Sequence, residues 1–257
     1  MSSCQCNTTE GMEKSKLMLE ALKCPKCSGP LLRHERLSSG CCVNSPSCGQ
    51  IDDLTEITDL DKGIQKLEEG PKLLERSTYD AEKVLHSALQ LLTKVCYPKN
   101  VYLIKIKSEL ARVYAKRCEW ERAVQSSREA VEMIKEMHGK DSFEACNELV
   151  KLSDYEFQLL DDYDDKENIL NLVRKCMVTS STAIRLLKNY SKSFDQQKFV
   201  ADLKSLEEAL VCCSMIESIS SKLEAQAARS RAIEGDWKIE KLKNWNLKTL
   251  TKFKEIL

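Results

Sequence analysis

Proline and glycine are scarce through most of this 257-residue chain. Four of the five prolines and six of the eight glycines lie at or before Pro71, and no proline follows Pro98. Because both residue types interrupt helices, their near absence argues against a loop-rich or β-rich fold after Pro98. We expect a loop-rich head followed by a long, nearly uninterrupted helical body.

The chain also lacks net charge, long apolar runs and catalytic motifs. Its 40 basic and 40 acidic residues balance, which gives no sign of nucleic-acid binding. No apolar run approaches the roughly 20 residues that span a bilayer, and residues 1–23 lack a secretory signal. There is no glycine-rich phosphate loop, H-E-x-x-H or G-x-S-x-G motif. We predict an intracellular binding unit, cytoplasmic or nuclear, without catalytic or cofactor-binding residues, a transmembrane segment or a direct nucleic-acid partner.

Cysteine, in contrast, is abundant, with 13 residues. A reducing compartment disfavours disulfides and leaves metal ligation or burial as the expected roles. Six cysteines are scattered through helical sequence, where a thiol is usually a small buried apolar group. The other seven crowd the first 48 residues: Cys4, Cys6, Cys24, Cys27, Cys41, Cys42 and Cys48.

Within the head, "CPKCSG" supplies a C-x-x-C pair, Cys24 and Cys27, which has the shape of a zinc knuckle. Gly29 suits the left-handed turn that lets backbone amides approach a thiolate. Cys42 and Cys48 follow after a stretch long enough for two short strands, as in zinc ribbons. Four thiolates satisfy tetrahedral Zn²⁺, so these cysteines are the predicted ligands of a structural zinc.

The second half of this site leaves alternatives open. Five residues separate Cys42 from Cys48 and six separate Cys41 from Cys48. We favour Cys42 as the ligand because its reach is shorter, and Cys41 is the alternative. The thiols could instead be reduced and unliganded. A redox dithiol is disfavoured because no βαβ pattern surrounds Cys24, and His34 is interpreted as a surface residue.

Cys4 and Cys6 form a separate C-x-C pair near the N-terminus. Two ligands cannot close a tetrahedral site. Either further ligands come from elsewhere, such as Cys41 or a segment outside this chain, or the pair binds nothing stable.

From Thr78 onward, apolar residues recur at three- and four-residue spacing, which predicts amphipathic helices. Ala81 and Ala88 are seven apart, and Ala123 and Ala130 repeat that pair 42 residues later. This spacing is typical of tetratricopeptide helix pairs, in which alanine lets two helices approach closely. A weaker third unit contains Leu152, Ser153, Cys176 and Ala183. We predict an all-α fold, a tetratricopeptide-like helical repeat array preceded by a small cysteine-rich, zinc-ribbon-like head.

Four regions follow from these patterns. Residues 1–50 are the cysteine-rich head, 51–77 a connecting helix, 78–190 the repeats and 191–257 a C-terminal helical tail. The end of the tail is basic, with Trp237 and Trp245 on roughly one helix face. It is predicted to be a capping or docking helix, and a membrane-surface helix is the alternative. We expect a protein or peptide partner in the groove of the repeats.

The order of these features resembles the C-terminal part of the SET and MYND domain family of protein-lysine methyltransferases. The resemblance covers Cys4 to Leu187 and includes the "HGKDS" turn at residues 138–142. It is closest to the branch with an extra zinc-ribbon-like element after the SET domain, the fourth member in the usual naming. The resemblance matches Cys4 and Cys6 to the first two cysteines of the family's post-SET C-x-C-x-x-C, and the extra zinc element to Cys24, Cys27, Cys42 and Cys48.

The chain also departs from the family. Thr9 stands where the third post-SET cysteine belongs, and we find neither the MYND zinc module nor the SET domain with its Asn-His-Ser-Cys cofactor motif. The resemblance thus implies S-adenosylmethionine-dependent lysine methylation for a full-length relative, and we expect this chain alone to be inactive. A truncated gene model, an isoform or a degenerate paralogue would account for it. Alternatives are a stand-alone adaptor whose repeats bind a peptide, and an enzyme whose SET domain is supplied separately.

Overall fold

The computed structural model describes residues 18–33, 40–43, 48, 50–51, 57–190 and 196–231. These residues form a small four-stranded sheet followed by seven α-helices. The predicted fold class, a helical array preceded by a cysteine-rich head, is confirmed. Of the predicted C-terminal tail, residues 232–257 with Trp237 and Trp245 lie outside the described residues.

The head is an antiparallel sheet of very short strands in chain order. The strands are β1 (Leu22–Lys23), β2 (Pro30–Arg33), β3 (Gly40–Cys42) and β4 (Gln50–Ile51). In β2, one of the two inner strands, Leu31 is paired with Leu22 of β1 and with Cys42 of β3. This register places a buried leucine beside a cysteine at the centre of the sheet.

The body is a succession of helices in which each helix packs against the next. The helices are α1 (Ile57–Leu73), α2 (Thr78–Val95), α3 (Val101–Lys116), α4 (Trp120–His138), α5 (Phe143–Leu159), α6 (Lys166–Asn189) and α7 (Gln196–Arg231). Contacts also join α1 to α3 and α5 to α7. Stacked helix pairs with such contacts between alternate helices fit a tetratricopeptide-like array.

Side-chain caps set the starts of four of these helices. Ser77, Asn100, Ser142 and Asp165 each accept a hydrogen bond from a backbone N–H in the first turn of α2, α3, α5 and α6. These residue types satisfy amide groups that have no partner within the helix. Gly139, with a φ of 90°, ends α4 in the left-handed region. These residues therefore fix where the four helices begin and where α4 ends.

Small residues allow these helices to approach closely. The small residues that the repeat pattern singled out on α2, α4 and α6 are fully buried: Ala81, Ala88, Ala123, Ala130, Cys176 and Ala183. Two glycines have the same effect on α1. A Cβ atom at Gly63 would lie 2.5 Å from Leu92 Cγ, and one at Gly70 would lie 2.6 Å from Leu85 Cδ2. The helix between head and repeats therefore packs tightly along α2.

Candidate metal centre

Four cysteine side chains of the head converge on one point. The Sγ atoms of Cys24, Cys27, Cys42 and Cys48 all lie within 4.8 Å of one another. Cys24 follows β1, Cys27 lies in the next turn, Cys42 ends β3, and Cys48 lies between β3 and β4. Cys27 is exposed and the other three are buried. Among the described residues, no second group of three or more His, Cys, Asp or Glu side chains is placed to hold a metal.

A tight turn positions the first two thiols. The backbone N–H of Cys24 donates to the Gly29 carbonyl at 2.8 Å, and the N–H of Ser28 donates to the Cys24 carbonyl at 2.8 Å. Ser28 has a φ of 58° and Gly29 does not have a positive φ. The left-handed residue of this turn is therefore Ser28, and the prediction of Gly29 was wrong. This conformation is more strained for serine than for glycine, and the two backbone hydrogen bonds of the turn hold Ser28 in it.

Backbone amides bias the first thiol toward the thiolate. Burial would raise the pKa of Cys24, but hydrogen bonds from the backbone N–H groups of Cys27 and Lys26 outweigh it and lower the pKa to about 7. A hydrogen bond with Cys27 raises the pKa of Cys48. The Cys24 thiol is therefore the one most readily deprotonated of the two, and the thiolate is the form that binds a metal cation.

The arrangement fits a tetrahedral metal ion. With Zn–S bonds of about 2.3 Å, two ligand sulfurs should lie about 3.8 Å apart. The Cys27 and Cys42 sulfurs are 3.4 Å apart, and no two of the four sulfurs are more than 4.8 Å apart. Four thiolates and no other ligand type are typical of closed structural zinc sites, because a catalytic zinc keeps one position open.

The side chains of the other predicted site residues lie outside the described part of the structure. The backbone of Cys41 pairs with Leu32 and Gln50 in the sheet, but its side chain is outside the described residues. Cys4, Cys6 and His34 are also outside them. The structure thus brings together the four cysteines of the favoured set, with Cys42 in the second half of the cluster.

The head is fixed to the body through the segment just before Cys24. The carbonyl of Ala21 accepts hydrogen bonds from the Tyr97 backbone N–H at 3.1 Å and from Asn100 Nδ2 at 2.9 Å. Leu22 forms an antiparallel bridge with Cys96. Asn100 is fully buried and also caps α3. No sequence pattern singled out Asn100, although an asparagine that follows proline and lysine is a helix-start signal.

The cysteines of the body have a different role. Burial raises the pKa of Cys96 to about 12 and that of Cys146 to about 11, so both stay protonated and unreactive. Cys176 and Cys213 are also fully buried. The ten cysteines with described side chains form no disulfide with one another. Most body cysteines therefore pack as small apolar groups, and Cys118 is exposed.

Comparison with known proteins finds a similarity to a methyltransferase. The chain is 27% identical over 158 residues to the protein-lysine N-methyltransferase SMYD4 of Danio rerio. The aligned part is 60% of this chain and 21% of that protein, so this chain matches about a fifth of its relative's length. No protein-family model matches the chain. The similarity supports a relation to SET and MYND domain methyltransferases.

Proposed function

We propose that this chain is a zinc-ordered helical binding region related to the C-terminal part of SET and MYND domain protein-lysine methyltransferases, in the branch of SMYD4. The observation that carries this proposal is the cluster of four thiols, built against a stack of helices, in a chain with sequence similarity to SMYD4. Lysine methylation would belong to a full-length protein, and these residues would supply structure and binding. An intracellular location would suit ten cysteines that form no disulfide with one another.

The proposed metal is zinc, held by Cys24, Cys27, Cys42 and Cys48. It would supply structural cross-linking, because four thiolates leave no position for a substrate. Metal analysis of the purified chain should return about one zinc per molecule. Chelation should lower the melting temperature, since ligand release removes the free energy of metal binding from the folded state. An unchanged melting curve after zinc removal would contradict a structural metal.

Partner binding is proposed for the face formed by α3 and α5. A polar network joins these helices: Ser108 Oγ donates to Glu148 Oε2 at 3.0 Å, and Lys151 Nζ lies 2.7 Å from the same oxygen. Next to this network Lys105 and Asp154 are exposed. Desolvation by the surrounding protein nevertheless raises the pKa of Asp154. A face that carries charges of both signs favours an extended, charged peptide over an apolar one.

A peptide-display selection tests this face. Peptides selected on the wild-type chain should bind the Lys105→Glu variant more weakly, because the change reverses an exposed charge on this face. The matched control is Lys175→Glu, at an exposed lysine on α6. Equal binding to all three proteins would place the partner elsewhere.

The stand-alone adaptor remains the alternative, since a binding groove alone does not require a methyltransferase. Calorimetric titration with S-adenosylmethionine addresses the catalytic side of the proposal. We expect no binding heat from this chain, because no cofactor motif is recognised in its sequence. Tight binding would show that a cofactor site is present. Methylation by a separately added SET domain, stimulated by this chain, would favour the methyltransferase relation over the adaptor.

A further inference from the structure

The last described helix, α7, carries apolar residues on two faces. Leu206 and Cys213 are buried in the core shared with α5 and α6. On another face, Val211 and Met215 are one turn apart and exposed, at 58% and 39%. The half-buried Ile219 continues this second face by a further turn. A helix that is apolar on two sides is expected to pack against two neighbours.

The adjacent helix adds to the exposed face. Val178 on α6 is 68% exposed. Ion pairs Arg174–Glu217 and Lys188–Glu207, each 3.4 Å long, set the antiparallel register of α6 and α7. This register places Val178 opposite residues 213–217. We call Val178, Val211 and Met215 the α6–α7 patch. Six large apolar side chains are exposed among the described residues, and the patch contains three of them.

The chain itself supplies a candidate cover for this patch. Residues 232–257, the C-terminal segment, follow α7 directly and include ten large apolar residues and six lysines. In a helix, one face would carry Ile239, Leu242, Leu250, Phe253 and Leu257. Gly235 lies near the start, where a chain reversal is needed.

The length of the segment matches the distance that it would have to cover. From Arg231 back to Val211 is 20 residues of helix, or about 30 Å. A helix over residues 238–257 would have the same length, so the segment would reach Met215 and Val211. Val200, also exposed on α7 at 60%, would lie about 46 Å from Arg231 and beyond that reach.

We propose that the C-terminal segment folds back along α7 and docks on the α6–α7 patch as the closing helix of the array. Repeat arrays need a terminal unit with a polar outer face, and the lysines of the segment would provide that face. Tethering favours this occupant over a separate partner, because a short linker gives an effective concentration on the order of millimolar.

Tryptophan fluorescence of the full chain tests the docking. The chain has three tryptophans, Trp120, Trp237 and Trp245, and in a helix the last two would lie away from the docking face. A background in which all three are changed to Phe and Phe253→Trp is introduced therefore has a single reporter, on the face that would dock. We expect blue-shifted emission and weak acrylamide quenching in this background. Adding Val211→Asp and Met215→Asp should shift the emission to the red and strengthen the quenching. Val200→Asp, on the same helix but out of reach, is the matched control and should leave both signals unchanged.

Several results would overturn the proposal. Solvent-like emission from the parent background, or emission that ignores the Val211 and Met215 changes, would show that the segment is not on the patch. Emission that shifts only with anionic lipid vesicles would assign the segment to a membrane surface. Quenching that depends on protein concentration, with a dimer by light scattering, would assign the patch to a second copy. Circular dichroism of each variant checks that the helices persist.

Discussion

The head and the helical body of this protein bury side chains on very different scales. The head has strands of two to four residues, whereas the helices have 16 to 36 residues. In the head, the buried apolar side chains of the sheet, Leu22 and Leu31, share their core with cysteines. Such short strands are not stable alone, so the contact with α2 and α3, together with the proposed metal, would supply what the head's own core does not. The body needs no metal to explain its packing.

The largest expected effect comes from breaking the cluster with Cys42→Ser. Zinc content should fall from about one to near zero, because a serine hydroxyl is a poor replacement for a thiolate and structural sites contribute on the order of 10 kcal/mol. Hydrogen exchange should accelerate through residues 22–33 and remain slow in α4 to α6. Cys118→Ser, at an exposed cysteine, is the control. Full zinc content in the Cys42 variant would remove this residue from the ligand set.

The reverse test truncates the body and leaves the head intact. Leu186 on α6 is fully buried, so Leu186→Ala should lower the free energy of unfolding by about 2–5 kcal/mol through lost packing and a cavity. Zinc content at ambient temperature should not change. Lys175→Ala, at an exposed position on the same helix, should cost less than about 0.5 kcal/mol. Loss of zinc in the Leu186 variant would contradict the independence of the two regions.

The two regions also differ in how far their sequence predicts them. In the body, the seven-residue spacing of Ala81 and Ala88 identified buried positions, because helix packing follows a local period. In the head, the C-x-x-C spacing pointed to a cluster that the structure assembles. The turn between these two cysteines was misassigned to Gly29 because backbone bonds impose the left-handed conformation on Ser28.

Contacts between the regions could not be predicted from local patterns. Asn100 and Ala21 are 79 residues apart, and neither belongs to a motif. Gly63 and Gly70 are poor helix formers, yet both lie within α1. Their lack of a side chain leaves room there for Leu92 and Leu85. Such features depend on which surfaces meet, and that information is spread over the whole chain.

A smaller effect should come from Asn100, which joins the two regions. Asn100→Ala removes both the cap of α3 and the bond to Ala21, and should cost about 1–2 kcal/mol. Asn100→Ser keeps a capping hydroxyl but is too short to reach Ala21, so it should loosen the head while leaving α3 nearly intact. Hydrogen exchange of residues 18–33 and thermal unfolding separate these outcomes.

A control for this effect uses a cap that has no contact with the head. Ser142→Ala removes the cap of α5 and should cost about 1 kcal/mol without altering exchange in residues 18–33. If Ser142→Ala and Asn100→Ser accelerate exchange in the head equally, the connection through Ala21 has no special role.

The smallest expected effect is a pH dependence that belongs to the body alone. Burial would raise the pKa of Glu82, but hydrogen bonds and charge from Arg122 and Arg117 outweigh it and lower the pKa. Arg122 Nη2 lies 2.6 Å from Glu82, and its guanidinium stacks 3.9 Å from the ring centroid of Tyr114. Since the folded pKa is below the unfolded value of about 4.3, the stabilisation is complete above that pH and is lost as the pH falls through the folded pKa.

Glu82→Gln should therefore remove up to about 1 kcal/mol of stability at neutral pH and almost none in acid. Acid would also release the proposed zinc, because protons compete for the thiolates. This release affects both proteins equally and cancels in the difference between wild type and variant, measured by urea unfolding at each pH. The control is Glu132→Gln, which removes an exposed pairing with Lys135 and should show no such dependence. A difference that persists unchanged below the folded pKa would mean that Glu82 stabilises the body by packing and not by charge.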